Sequence, residues 1–297
     1  MHTFSVIIPH HNIPDLLQRC LESIPDREDV QVIVVDDNSS AEKVDFEHFP
    51  GLERKYTEFI FDKDGGGAGH ARNIGLRHAD GTWLVFADAD DFFSPSAFSI
   101  FDSHKDDLCY VILFKADSVN SDDYTPSGRH TTLNDAIDSV LHGDMPIKEA
   151  MLAKPVPWCK MVRRTYVKEH GILFDETMAS NDLMFVAKTI CWAADEALAV
   201  ASDVVYTVTT RSGSLMDCSR TDANNYLCRL EVLIRYQKFV KPWPNLEKEP
   251  IIIVLAKSLN YGIGTFFKAL ILVLRKNALF YGIRTFFKII NNHTLKI

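Results

Sequence analysis

Residues 81–95 read GTWLVFADADDFFSP: an apolar run from Thr82 to Ala87, then a turn holding three carboxylates, then two phenylalanines closed by Ser-Pro. An unbroken apolar run of this length predicts a strand buried on both faces. Such strands belong to parallel sheets covered by helices, where functional loops gather at the carboxyl ends of the strands. Asp88, Asp90 and Asp91 stand at such an end. Two carboxylates in one short turn offer hard oxygen donors to a divalent cation and leave positions for phosphate oxygens. An acidic turn is more often a solvated surface feature. Here the preceding strand sets Asp88 at the edge of the core, where a carboxylate without donors or a cation is costly.

Working outward, Phe4–Pro9 is a second apolar run, and Leu16, Leu17, Cys20, Leu21 and Ile24 recur at helical spacing within 15–24. Val30–Val35 is a third apolar run. Strand, helix, strand predicts a parallel crossover unit. Its strand ends carry His10-His11-Asn12 and Asp36-Asp37-Asn38-Ser39, so three strand ends deliver acidic or amide-rich loops to one sheet edge. An extended segment at 59–61, glycines at 65–67 and 69, and a helix over 70–78 come between these and the acidic turn. Downstream, strands are expected at 110–115 and 204–208, a polar loop at 118–128 and a helix at 181–194.

The glycines fit neither a phosphate loop, since no Lys-Ser or Lys-Thr follows Gly69, nor a dinucleotide fingerprint, since the first strand runs into PHHN. They read as a flexible turn before a helix. His10 and His11 point to opposite sides of an extended segment and do not jointly hold an ion.

A length of 297 residues gives room for one catalytic domain and a smaller appendage. Hydrophobic residues at 46% and charged residues at 24% exclude a disordered chain and a multi-span membrane protein. The net charge of -8 argues against general nucleic-acid binding. The six cysteines show no CxxC pair, which predicts reduced thiols and a cytoplasmic setting. MHTFSVIIPHHN does not read as a secretory leader.

Charge is unevenly spread. From Ile251 to Ile297 there is no Asp or Glu, but Lys257, Lys268, Arg275, Lys276, Arg284, Lys288 and Lys296 are present, and the stretch contains a short repeat, YGIGTFFK (261–268) and YGIRTFFK (281–288). Its longest uncharged run, 258–267, is too short to span a bilayer, which takes about 20 residues. Two readings of residues 251–297 stand: contact with an anionic membrane surface, or helices packed on the catalytic domain or used in self-association.

Four ordered blocks, SVIIPHHN (5–12), VIVVDDNS (32–39), GGGAGHARNIGL (65–76) and GTWLVFADADDFFSP (81–95), resemble the family-2 glycosyltransferases of GT-A fold. Similarity continues more weakly through 158–185 and 204–215. The resemblance implies an α/β fold with a Rossmann-like, mixed and mainly parallel sheet flanked by helices, and leaves a C-terminal helical appendage outside the match. On this reading residues 1–216 form the catalytic domain, with 1–115 as the nucleotide-sugar half and 116–216 as the acceptor half, and 217–297 form the helical region.

Carried over position by position, the resemblance implies that Pro9 and His11 line the base pocket and that Asp37 reads the base, usually uracil. It places Arg72 near base and phosphates, Asp88 at the ribose and Asp90 on a Mn2+ or Mg2+ ion, with Asp91 in support. Asp182 is implied as the catalytic base of an inverting displacement, preceded by Asn181 where the family usually has Glu. Trp158, Lys160, Arg211 and Ser214 fall at acceptor-side or diphosphate-side positions. Each has a plainer alternative: Asp37 as a turn cap, Arg72 as a solvated helix residue, Trp158 as core, Asp182 as an acid at a helix N-terminus. The implied partners are a nucleotide-sugar donor and a saccharide acceptor, lipid-linked at the inner face of the membrane, with no nucleic acid. Two rivals remain: a scaffold that kept the fold without the chemistry, and a nucleotidyltransferase, which the absence of any Lys or Arg before Arg19 disfavours.

Overall fold

The computed structural model describes residues 2–211, 222–246 and 248–282. They divide into two units. One comprises Met1–Glu176 with Phe185–Arg211, and the other Thr177–Met184 with the described residues after Arg211.

The first unit opens with β1 (Phe4–His10), α1 (Pro14–Glu22) and β2 (Val30–Asp37), followed by β3 (Thr57–Asp62), α2 (Gly67–His78) and β4 (Trp83–Phe86). β1 pairs in parallel with both β2 and β4, and β2 with β3. Phe4, Val6, Ile7, Ile8, Val32–Val35 and Trp83–Phe86 are all buried. Continuous burial is what unbroken apolar runs demand, since helices cover both faces of such a sheet. α2 lies close to β1 at Gly75, where an added Cβ would come 2.4 Å from Ile7 Cγ2.

The chain continues through β5 (Phe92–Phe93), α3 (Ala97–His104), β6 (Val111–Asn120), α4 (Thr131–Leu141), α5 (Ile147–Ala153), β7 (Lys160–Arg163) and α6 (Arg164–Glu169). α7 (Leu183–Cys191) and β8 (Leu198–Thr210) follow. Among the described residues, eight strands form one mixed sheet in the order β3-β2-β1-β4-β7-β6-β8-β5. β7 is antiparallel to both β4 and β6, so the sheet changes direction beside the acidic turn. β8 runs parallel to β6 and antiparallel to β5.

Several expected boundaries shift. β6 runs to Asn120 and takes up the start of the expected 118–128 loop, because β8 pairs with it as far as Thr210. β8 is thirteen residues long where sequence predicts a strand at 204–208, because its exposed polar Ser202 and Asp203 interrupt the apolar run that marks a strand. Gly65 and Gly66 precede α2 as the expected turn, but the helix starts at Gly67 instead of 70, with the Gly67 N–H donating to Asp37 Oδ1 at 3.0 Å. A carboxylate from another strand thus serves a helix N-terminus that lacks a local cap.

In the second unit, α8 (Ala223–Phe239) starts at Asp222, whose side chain accepts from Asn225 N at 2.8 Å. α9 (Ile251–Lys257) and α10 (Ile263–Arg275) pack with it through Leu230, Ile234, Ile251, Val254, Leu255, Ala269, Val273 and Ala278. No helix among the described residues is long and apolar enough to cross a membrane. Cys20, Cys109, Cys159, Cys191 and Cys228 are free.

Candidate active site

The ends of β1 and β2 are joined by a buried hydrogen-bonded group. His10 Nδ1 lies 2.7 Å from Asp36 Oδ2, Ser39 Oγ donates to the same oxygen at 2.6 Å, and Ile13 N–H donates to His10 Nε2 at 3.2 Å. A ring nitrogen that accepts an N–H carries no proton, so His10 is neutral and donates to Asp36 through Nδ1. Burial would raise the Asp36 pKa, but the hydrogen bonds from His10 and Ser39 outweigh it and hold the carboxyl below its usual range. This group fixes two loops. Asn12, at φ 58°, donates its N–H to Ser39 Oγ and accepts from Ser40 N, both at 2.8 Å. Exposed His11 donates through Nδ1 to the Asp37 carbonyl at 2.7 Å, and Pro9 is half-buried beside them on β1.

Along the same edge, Arg72 projects from α2 to Asp88 Oδ1 at 2.5 Å and lies over the Phe174 ring, 5.4 Å from its centroid. The next residue, buried Asn73, donates to the Phe174 carbonyl and to Glu176 Oε1, both at 3.0 Å, and accepts from Phe174 N at 2.9 Å. A backbone-like amide thereby holds residues 174–176 against α2.

The acidic turn is clamped from both sides. Its Asp88 N–H donates to Tyr206 OH at 2.9 Å, Thr209 N–H to Asp91 Oδ1 at 2.6 Å, and Thr209 Oγ1 to the Asp90 carbonyl at 2.8 Å. From α1, Arg19 donates to that carbonyl at 2.5 Å while its guanidinium lies over Phe92 and Tyr124. The Asp90 carboxylate pairs with Arg211 Nε at 3.1 Å. Asp91 is 2% exposed, and burial, then the charges of Asp90 and Asp88, drive its carboxyl pKa well above the usual range. Burial followed by Asp91 and Asp88 does the same to the Tyr206 phenol. Asp88 and Asp90 are thus held close enough to raise the Asp91 pKa, with the backbone of the turn fixed by β8 and α1.

The donor set suits a hard divalent cation, because it consists of oxygens alone. Among the described residues no group of three or more His, Cys, Asp or Glu is arranged to hold a metal by itself. Asp90 is the carboxylate that would hold a cation whose other ligands are phosphate oxygens and water, a common arrangement for Mg2+.

Trp158 is 2% exposed and stacks at 5.6 Å and 12° on Tyr206, the residue whose hydroxyl accepts from the Asp88 N–H. Lys160 is equally buried, with Nζ donating to the Val156 carbonyl at 2.6 Å. Asn181 and Asp182 lie half-buried in the turn before α7, following Ser180 at φ 55°. Ser214 lies outside the described residues. Sequence reading did not single out Tyr206 or Thr209, nor assign Arg19 a role at the site. An arginine two residues after buried Leu17 and next to Cys20, in a helix packed on the sheet, was the one local signal.

The family model for Glycosyl transferase family 2 matches residues 5–171. Poly(ribitol-phosphate) beta-glucosyltransferase of Bacillus spizizenii is 24% identical over 239 residues, covering 77% of this chain and 36% of that protein. TarS of Staphylococcus aureus, a poly(ribitol-phosphate) beta-N-acetylglucosaminyltransferase, is 25% identical over 238 residues, covering 76% of this chain and 39% of that protein. The chain thus spans well under half the length of these relatives. Among solved structures, S. aureus TarS 1–349 with UDP-GlcNAc superposes with a TM-score of 0.58 at 22% identity, covering 94% of this chain and 84% of the other. A Pyrobaculum calidifontis mannosyltransferase with GDP-Man and Mn2+ gives 0.55 at 16% identity, covering 92% and 75%. The sheet described above is the fold these structures share, and with the family model spanning more than half of its length, the chain belongs to glycosyl transferase family 2.

Proposed function

We propose that this chain transfers a sugar, with inversion, from a UDP-sugar to a hydroxyl of a lipid-linked saccharide at the cytoplasmic face of the membrane. The observation that carries the reading is the clamped carboxylate turn Asp88-Ala89-Asp90-Asp91 on the same sheet edge as His11, Asp37 and Arg72. The relatives named for poly(ribitol-phosphate) and the neighbour holding UDP-GlcNAc support a UDP-sugar donor and a cell-surface polymer acceptor.

Pro9 and His11 flank the base, and Asp37 accepts from its imide N–H. Asp88 takes the ribose hydroxyls, and Arg72 balances charge between Asp88 and the phosphates. A bound Mn2+ or Mg2+ supplies neutralisation of the diphosphate's charge. Asp90, supported by Asp91, orients that end of the donor. Asp182 accepts the proton of the acceptor hydroxyl as its oxygen bonds to the anomeric carbon, opposite the departing UDP, and the configuration inverts. Trp158, Lys160, Asn181, Arg211 and Ser214 complete the acceptor and diphosphate sides, Trp158 by supporting Tyr206.

Calorimetric titration of UDP with and without Mn2+ on wild type, Asp90→Ala and Asp182→Asn tests both halves. UDP binding should need metal and Asp90, while Asp182→Asn keeps binding and loses transfer from UDP-sugars by about 10²–10⁴-fold. A chain that binds no nucleoside diphosphate under any metal condition refutes the reading.

A further inference from the structure

Helix α10 is amphipathic in the reverse sense. Thr265, Ala269 and Val273 are buried, whereas Ile263, Phe267, Ile271 and Leu274 are 68%, 55%, 49% and 55% exposed. Those four recur at i, i+4, i+8 and i+11, so they form one continuous outward stripe. Thr265, Ala269 and Val273 seat the helix on its own unit, with partly buried Phe266, Leu270 and Leu272 packed beside them, and the four exposed apolar side chains are left on the far side. Unpartnered stripes of this kind mark contact surfaces.

The stripe's charged neighbours identify what covers it. Lys268 and Arg275 are exposed next to it, while Lys276 pairs with Glu231 and Lys257 with Glu249. No Asp or Glu occurs anywhere from Ile251 onward to offset them. A second copy docked through this helix would bring the lysines and arginines of both copies together with no carboxylate of the helix to meet them. The stripe is also small beside the roughly 20–30 residues a side of a stable protein interface. A helix of thirteen residues is about 20 Å long, short of the ~30 Å hydrocarbon core, so it can lie in a membrane surface but not cross it.

We propose that the outward face of α10, made of Ile263, Phe267, Ile271 and Leu274 with Lys268 and Arg275, docks in the plane of an anionic lipid surface. The apolar stripe enters the headgroup boundary and the two cations meet lipid phosphates. The inference stands without the transferase chemistry.

The test is co-sedimentation of the full chain with phosphatidylcholine vesicles and with mixed phosphatidylcholine and phosphatidylglycerol vesicles. Wild type should partition onto the mixed vesicles and far less onto the neutral ones. Phe267→Gln with Ile271→Gln should lower partitioning at least about tenfold. Lys268→Gln with Arg275→Gln should lower it about thirtyfold on the mixed vesicles and remove most of its salt dependence. These exposed sites accept glutamine in a helix, and an unchanged circular dichroism spectrum and thermal midpoint verify the fold. Wild type that ignores anionic vesicles, or variants that pellet as wild type does, overturn the proposal. So does a wild-type dimer in analytical ultracentrifugation that Phe267→Gln with Ile271→Gln converts to monomer, since the stripe then belongs to a second copy.

Discussion

The guanidinium of Arg211 lies 3.1 Å from the carboxylate of Asp90, the side chain proposed to hold a divalent cation. An arginine and a metal ion at one carboxylate oppose each other. Arg211→Ala should therefore strengthen Mn2+ binding to the nucleotide-free chain about threefold to fivefold, the worth of a partly exposed pair. Calorimetry without nucleotide measures this, and an unchanged affinity means the two cations do not share the carboxylate.

Arg19 sits on the opposite side of the acidic turn and holds its backbone through the Asp90 carbonyl. Arg19→Met keeps the packing over Phe92 but leaves that carbonyl one donor short. Urea unfolding should show a loss of about 1–3 kcal/mol. The kcat for sugar transfer should fall while donor KM stays near wild type, because base contacts are made elsewhere. A large rise in KM would assign Arg19 to ground-state donor binding.

Acid sensitivity should centre on Asp36. Its folded-state pKa is lowered, so the stabilisation is complete above the unfolded value near about 4 and is lost as pH falls through the lower folded value. Asp36→Asn should cost about 1–3 kcal/mol at neutral pH and flatten the stability curve below about pH 4. Urea midpoints from about pH 3 to about pH 7 check this. An acid limb identical to wild type would shift the sensitivity to other carboxylates.

Lys248, in the second unit, gives the opposite slope. Burial lowers its ammonium pKa to about 8. Folding then disfavours the bound proton, a cost fully present below the folded value that fades as pH rises toward the unfolded value near about 10.4. Lys248→Met should raise stability by about 1–2 kcal/mol at pH 7, with the gain shrinking above about pH 8. Thermal midpoints across that range decide it; a gain that does not vary with pH would make it a packing effect.

The β1–β4 half of the sheet was legible because its information is local. Each of β1, β2 and β4 is a mainly apolar run, broken only by Ser5 and Gln31, that stops at a polar loop, and parallel crossovers bring those stops to one edge. The clamp around the acidic turn was not legible. Asp88 meets Tyr206 across 118 positions, Asp91 meets Thr209 across the same span, and Arg19 meets Asp90 across 71. Nothing near Tyr206 or Thr209 distinguishes them from ordinary residues of a polar strand. β7 was missed for another reason. With four residues, and a cysteine at φ 58° just before it, it is too short to show a period. The tail's composition showed an apolar, basic helix, but only the packing of Ala269 and Val273 revealed which side faces outward.

The attachment of the acidic turn to β8 limits how this chain can be recombined with its relatives. A chimera joined at residue 115 separates the sequence neatly into two halves, yet it gives the carboxylates to one parent and Tyr206, Thr209 and Arg211 to the other. Asp91 would then be buried against a strand never selected to receive it. Crossovers that keep 81–95 and 198–211 from a single parent, and exchange what lies between or beyond, preserve the mutual fit that sets the charge of the site.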